Sequence, residues 1–374
     1  MSGESRANTE VNEDDVIEYI RSGRLLRDVR SILDYYIVGE DNTKILLYLL
    51  LLSGQSVIIK GDSSTGKNTL VDGVLSLFPK QDVLEITSST PRALRYLGTD
   101  FIRILYLRET PYEHLSSSGT PFALDLKAAI QDHILRAIYV DTSTGTPRTL
   151  VREVKIYSVV QTTTEYELPE DIENRCWVLS TDASPEQTKR VVLAKARRRE
   201  QMIDPPDAET VYTVQCATKW LLDNKPNIRV RIPVAQRVAA KLADLFPYPR
   251  LRRDIDKIFD LVEVIALAHG RTEATLDDVK FALRLAAPVF PYMVKRIDPR
   301  IREAFDKFKF IEKQQTFVTA ADLARALGCS QTEARRKLRA MLDIGLIIEA
   351  GRGQRGVILY KSAETSELKW IDEI

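Results

Sequence analysis

Positions 61–69 carry Gly61, Asp62, Ser63, Ser64, Thr65, Gly66, Lys67, Asn68 and Thr69. The run follows the apolar segment Ser56–Lys60 and precedes residues at helical spacing to about Phe78. A buried strand, a glycine loop ending in lysine and a helix, in that order, make the Walker A pattern. The glycines let the loop curl so that its N–H groups face phosphate oxygens. The helix start adds partial positive charge, and Lys67 is placed to reach the outer phosphates of a nucleotide. The residue after the lysine is ordinarily a Ser or Thr that binds Mg²⁺. Here it is Asn68, whose amide oxygen is a permissible ligand for a hard cation.

Ile102–Leu107 reads as a second strand, and Arg108 and Glu109 follow it. A carboxylate there can activate water, and Glu109 is the candidate base and a candidate Mg²⁺ ligand. Otherwise it is a solvated strand end. Arg108 stands where a metal-holding Asp is usual. A third strand, Ile156–Gln161, ends in Thr162, Thr163 and Thr164, and Thr164 is the favoured sensor of the terminal phosphate. Arg175, just before the apolar run Cys176–Leu179, sits where an arginine acting on a neighbouring subunit's phosphate would stand. Arg252 and Arg253 open a long amphipathic helix and are candidates for a second phosphate sensor. The bland alternatives are a surface ion pair for Arg175 and a solvated helix start for Arg252 and Arg253.

These residues need a sheet to hold them. Strands near 56–60, 83–87 and 102–107 alternate with helical patterns, which predicts a parallel α/β sheet. Residues 15–52 read as helical, as do residues 121–135. Residues 136–156 read as a hairpin around a Thr-Gly-Thr-Pro turn, its second arm running into the third strand. From Ser184 the pattern is helical, with capping boxes at Ser184–Gln187 and Thr275–Asp278. Near Gln314 a last unit begins. Thr319–Asp322 and Ser330–Glu333 cap two helices, and the glycine-rich hairpin IIEAGRGQRGVILY follows. That is the order of a winged helix. Its second helix carries Arg335, Arg336 and Arg339 on the face away from Ala334, Leu338 and Met341, placed to enter a DNA groove. The alternative is a protein-interaction module. The basic run Lys189–Arg199 reads as a solvated helix face. The expected division is a disordered tail at 1–14, a nucleotide-binding α/β domain at 15–183, a helical lid at 184–311, a winged helix at 312–362 and a tail at 363–374.

Composition agrees with such a chain. Its 374 residues suit about two to three domains. The 54 basic and 53 acidic residues balance, so any cationic surface must be local. Three cysteines and three histidines are too scattered for a disulfide framework or a metal clip. No apolar run reaches ~18 residues, and MSGESRANTEVNEDD lacks a signal peptide's apolar core. A membrane is therefore excluded and the cytoplasm is the expected compartment.

Taken together, the motifs resemble the AAA+ ATPases, and within them the MCM-like helicase domains of prokaryotic mobile elements, plasmids and viruses. IVGEDNTKILLYLLLLSG is similar to the segment before Walker A in that family. The 136–156 hairpin resembles its presensor-1 hairpin, LPEDIENRCWVLSTDASPEQT its arginine-finger strand, and RLRRDIDKIFDLVEVIALAHGR and TLDDVKFALRL its lid helices. The resemblance spans about residues 15–362. It implies ATP and Mg²⁺ as cofactors, a homo-oligomeric ring, most simply a hexamer, and ATP bound between subunits. It implies a DNA helicase or translocase in replication of a mobile element, with the sensor at Arg253 and Arg252 as its fallback. It places Arg148, Arg152 and Lys155 on single-stranded DNA in a central channel, leaves duplex to the winged helix, and allows for a replication partner protein. Arg108, Asn68 and the absence of an oligonucleotide-binding domain ahead of residue 15 depart from the family pattern. The alternative is an initiator, loader or regulator switched by nucleotide, with slow hydrolysis.

Overall fold

The computed structural model describes residues 12–87, 100–109, 121–141, 148–164, 170–290, 299–343, 346–353, 356–362 and 371. Eight strands are described: β1 (Val57–Lys60), β2 (Val83–Ile86), β3 (Phe101–Leu107), β4 (Ile134–Asp141), β5 (Arg148–Thr163), β6 (Trp177–Ser180), β7 (Ile347–Arg352) and β8 (Ile358–Ser362). The first six form one sheet in the order β2-β3-β5-β1-β6, with β4 paired to β5 alone. All pairs on the main path are parallel, and β4 is antiparallel to β5. The architecture is mixed α/β, a mostly parallel sheet flanked by helices, compatible with a phosphate-loop core.

β1 lies between β5 and β6 and is buried along its whole length. A strand covered on both faces needs the unbroken apolar run that Val57, Ile58 and Ile59 supply. One layer against the sheet comprises Ala123, Leu126, Ala129 and Ile130 of the helix Pro121–Gln131, with Ile172 and Cys176, packed on Ile58, Leu105, Leu107 and Val159. The helix Thr43–Ser53 is buried all round, as its LLYLLLL core requires. Its Tyr48 hydroxyl lies 2.8 Å from Thr218 Oγ1, so the one polar atom of that ring is satisfied.

The segment expected to be helical from 15 to 52 is three helices, Glu13–Arg21, Leu25–Tyr36 and Thr43–Ser53. The first begins inside the stretch expected to be a tail. The Asn12 side chain caps it, and Glu13, Asp14 and Asp15 fill its first turn, where the helix dipole favours acids. Residues 1–11 lie outside the described residues. The helix expected over 121–135 stops at Gln131. His133 takes φ +54°, a left-handed conformation that ends it, and Ile134 already belongs to β4. β5 is one strand of 16 residues running from the hairpin into the sheet, as the sequence suggests.

The chain falls into two compact units, Met1–Ala239 with Arg252–Ala286, and Ala240–Leu251 with Ala287–Ile374. In the second, the helices Ala320–Leu327 and Gln331–Asp343 and the β7–β8 hairpin share a core of Leu323, Ala334, Leu338, Met341, Leu346 and Ile347. Phe305 and Phe308 of the helix Pro299–Gln314, read from sequence as part of the preceding helical segment, belong to this core. Thr319 and Asp322 form a complete capping box. The expected box at Ser184 is half made. Gln187 N–H donates to Ser184 Oγ at 3.1 Å, but the Gln187 amide donates to the Val38 carbonyl instead of turning back.

The cap at Thr275 yields a pH prediction. Thr275 N–H donates to the Asp278 carboxylate at 2.7 Å, and Asp278 N–H returns to Thr275 Oγ1 at 3.3 Å. Arg271 grips the same carboxylate with both terminal nitrogens, at 2.6 and 2.7 Å. Burial alone would raise the Asp278 pKa, but the Arg271 and Thr275 hydrogen bonds and the Arg271 charge bring it below its ordinary value. A depressed folded value stabilises the fold above the unfolded carboxylate's pKa, about 3.9, and the gain is lost as pH falls through the folded value. Asp278→Asn is expected to cost about 1–3 kcal/mol near neutral pH and to flatten the loss of stability below about pH 4. Denaturant melts across that range check it; an unchanged acid slope would show that the pair contributes nothing.

Candidate nucleotide-binding site

In a parallel sheet the loops that follow the strands gather at one edge, where ligands bind. Four such loops meet here. Gly61–Thr69 follows β1, Arg108 and Glu109 follow β3, Thr164 follows β5, and Thr181 follows β6. The register sets Lys60 beside Thr163 on one side and Ser180 on the other, so Gly61 emerges next to Thr181. A Cβ on Gly61 would stand 2.7 Å from Thr181 Oγ1 and 2.9 Å from Thr65 Oγ1, so only glycine fits there. Gly66 is glycine for a different reason, its φ of +90°. Ser64 at φ +67° and Glu109 at φ +51° are also left-handed without being glycine. Such strain costs about 1–3 kcal/mol each and gathers at functional sites.

The helix Lys67–Leu75 opens directly on the loop. Lys67 is buried, and its ammonium donates to the carbonyls of Gly61 and Asp62, both at 2.7 Å. The lysine is thus folded back onto the loop's own carbonyls. Burial lowers its pKa from the ordinary value, opposed by the charges of Glu109 and Asp62. Lys60, one residue before the loop, is ion-paired with Glu173. Thr181 donates to Thr65 Oγ1 at 2.8 Å, tying the loop to β6. Asp62, Ser63, Ser64 and Thr69 are exposed.

Glu109 is brought to the loop. Asn68 Nδ2 donates to Glu109 Oε1 at 2.9 Å, and Glu109 N–H donates to Thr162 Oγ1 at 3.1 Å. Tyr106, buried beneath, donates its hydroxyl to Asn68 Oδ1 at 3.4 Å. Burial pushes the Tyr106 pKa well up, so the phenol stays a donor. Thr162 thus meets the Glu109 backbone, and Thr164, the threonine favoured from sequence, is exposed at the same strand end. Tyr106 and Thr181 escape a reading of the sequence alone. Their signal is register: Tyr106 lies on β3, beside β5, and Thr181 follows β6, beside β1, a placement visible only once strand pairing is known.

Arg108 does not face the loop's acid. Its guanidinium donates to Glu85 at 2.6 Å and to Asp72 at 2.7 Å, and it stacks 5.1 Å over the Tyr106 ring. This bears on the expectation of Mg²⁺ at Asn68 and Glu109. A carboxylate oxygen accepts only, so the amide end facing Glu109 must be the NH₂ end. The Asn68 oxygen therefore points to Tyr106 and not to a cation shared with Glu109. Thr69 is about 100° further round the helix and points elsewhere. The usual second carboxylate is replaced by a fixed cation. Among the described residues no group of three His, Cys, Asp or Glu side chains is arranged to hold a metal. The side chains at these two positions thus do not present the donor set expected for Mg²⁺.

The two remaining arginine positions lie at the opposite sheet edge. Arg175 donates to Gln131 Oε1 at 2.8 Å, two residues before Trp177, whose N–H bonds the Ser56 carbonyl at the start of β1. The helix Leu251–Ala268 reaches the same edge. Lys257 donates to the Cys176 carbonyl at 3.3 Å, and Gln55 Nε2 donates to the Lys257 carbonyl at 2.9 Å. Arg252 and Arg253 are exposed one turn earlier, and Arg253 lies 3.6 Å from the buried Asp254. The ion-pair neighbour of Arg253 is thus Asp254 of its own helix.

Of the expected DNA contacts, Arg148 pairs in register with Asp141 and Arg152 with Ala137 on the β4–β5 hairpin. The turn at 142–147 lies outside the described residues. Lys155 is exposed at the hairpin's root, beside Phe101. Arg335, Arg336 and Arg339 are exposed on the helix Gln331–Asp343, whose Ala334, Leu338 and Met341 are buried. No helix among the described residues is long and apolar enough to cross a membrane. No protein-family model matches the chain, and no curated protein matches it.

Proposed function

We propose that this chain is an ATP-driven DNA translocase or helicase of the AAA+, MCM-like kind, with ATP bound between copies of a ring and DNA replication of a mobile element as its setting. The observation that carries the reading is the split between the two sheet edges. The phosphate loop, Lys67 and Glu109 occupy the edge where strands end; Arg175 and Arg253 occupy the edge where strands begin. Copies packed head to tail set one edge against the other and close into a ring. Lys67 then holds the β- and γ-phosphates. Glu109 takes the proton of a water attacking the γ-phosphorus, the bond to the β-phosphate oxygen breaks, and ADP and phosphate leave. Arg175 of the next copy balances the charge that builds on the γ-phosphoryl oxygens, and Arg253 enters the site from that copy too. No step is routed through a metal. Arg148, Arg152 and Lys155 on the hairpin would track a DNA backbone, which needs cations and no base-specific chemistry. The C-terminal helices and hairpin would act as a winged helix on duplex, and ordering of the hairpins by nucleotide would move the strand.

Mixing variants tests the shared site. Lys67→Ala and Arg175→Ala should each be inactive alone. In random mixed rings about a quarter of the sites pair an intact Lys67 with an intact Arg175. Hydrolysis should therefore reappear on mixing, and its failure to do so would contradict a site shared between copies. A second reading, a DNA-binding initiator, loader or regulator switched by nucleotide, is favoured by one observation: Glu109 is tied to Asn68, which slows a base that must swing toward water. Turnover separates the two.

A further inference from the structure

We infer that this loop binds its nucleotide without a divalent cation. The inference rests on the nucleotide reading above and narrows what the site accepts: a metal-free nucleotide anion held by Lys67, loop N–H groups and a helix start.

Three observations converge. First, the side chain following Lys67 is an amide whose two ends are both engaged. Its NH₂ is 2.9 Å from Glu109 Oε1 and its oxygen 3.4 Å from the Tyr106 hydroxyl. Flipping the amide would set its oxygen against a carboxylate oxygen, which repels. Turning that oxygen toward a cation shared with Glu109 therefore means breaking the amide's bond to Glu109. Second, the position before Glu109 carries a permanent positive charge. Arg108 is held in place by Asp72 at 2.7 Å and Glu85 at 2.6 Å, so the two nearest carboxylates on that side are already neutralised. A divalent ion would meet a fixed cation where it ordinarily meets an acid. Third, the neighbouring hydroxyl of Thr69 belongs to another face of the helix. The carboxylate that a metal would otherwise restrain is restrained by Asn68. Its negative charge beside a phosphate is moderated by that hydrogen bond and by the nearby Lys67, whose pKa burial lowers and the Glu109 charge partly restores.

The test is equilibrium binding of a fluorescent, non-hydrolysable ATP analogue to the full chain, in EDTA and in Mg²⁺. The expected result is a Kd that changes by less than about threefold between the two. Loss of more than about tenfold in EDTA would overturn the inference while leaving the nucleotide site standing. Absence of binding in both buffers would overturn the site and the inference together. Asn68→Thr, which restores a hydroxyl, is expected to make binding metal-sensitive by about tenfold or more. Asn68→Ala, which frees Glu109 without adding a ligand, is expected to bind equally in both buffers; if it became metal-dependent, the argument from the missing hydroxyl would fail.

Discussion

Lys67→Ala is expected to weaken nucleotide binding by at least about 2 kcal/mol, or some 30-fold, and to abolish hydrolysis. Two opposing effects decide the size. In the free protein the Lys67 ammonium is already engaged by two backbone carbonyls, and these bonds must be given up when phosphate enters. Against that, the ammonium is buried and its charged form is disfavoured by desolvation. A phosphate anion restores a full opposite charge in the same low-dielectric hollow, which a carbonyl dipole cannot match. The second effect wins, because a charge-assisted bond is roughly twice as strong as a neutral one. Folding should survive, since the loop is also tied by Thr181 to Thr65 and by the sheet. Titration of a fluorescent nucleotide, with a thermal melt as control, measures this. Unchanged affinity in a folded variant would remove Lys67 from the site.

Glu109→Gln separates holding the nucleotide from cleaving it. General base catalysis contributes about 10²–10⁴-fold, and hydrolysis should fall by that factor. Binding should hold or tighten, because the substitution removes a negative charge beside the phosphates. The amide of Asn68 can still donate to the side-chain carbonyl that replaces the carboxylate oxygen, so the local bond of 2.9 Å has a neutral equivalent. Measured together, Kd and turnover distinguish this from collapse of the site, which would weaken both. A variant that hydrolyses normally would mean that another group activates water.

Much of this site is legible in the sequence because its parts are local. The run from Gly61 to Lys67 is contiguous, and β1 announces itself by three consecutive apolar residues that end at Lys60. Glu109 is legible because it directly follows an apolar strand. The choice among Thr162, Thr163 and Thr164 is not, because it depends on which residue of β5 stands beside which residue of β1 and β3. Register is a long-range property, and one step of slip exchanges the two faces. The packing of the helix that carries Arg253 is hidden for a related reason. The helix can be read from spacing, but the edge its Lys257 packs on is set by Gln55 and Cys176, about 200 and 80 positions away. The start of the first helix at Glu13 is hidden by composition, since an acidic first turn and an acidic tail look alike until the Asn12 cap is seen. The amide orientation of Asn68 needs its partner, and Glu109 is 41 positions away.

The most direct test of the motor reading is steady-state ATP turnover by the purified chain, with and without single-stranded DNA, beside the Glu109→Gln variant. The account predicts turnover that rises about tenfold or more on adding DNA, a gain of about 1.4 kcal/mol or more in the rate-limiting barrier, and that is absent in the variant. Bound ATP with turnover no higher than the variant's, DNA present or not, would contradict it and leave a nucleotide-switched DNA-binding protein in its place.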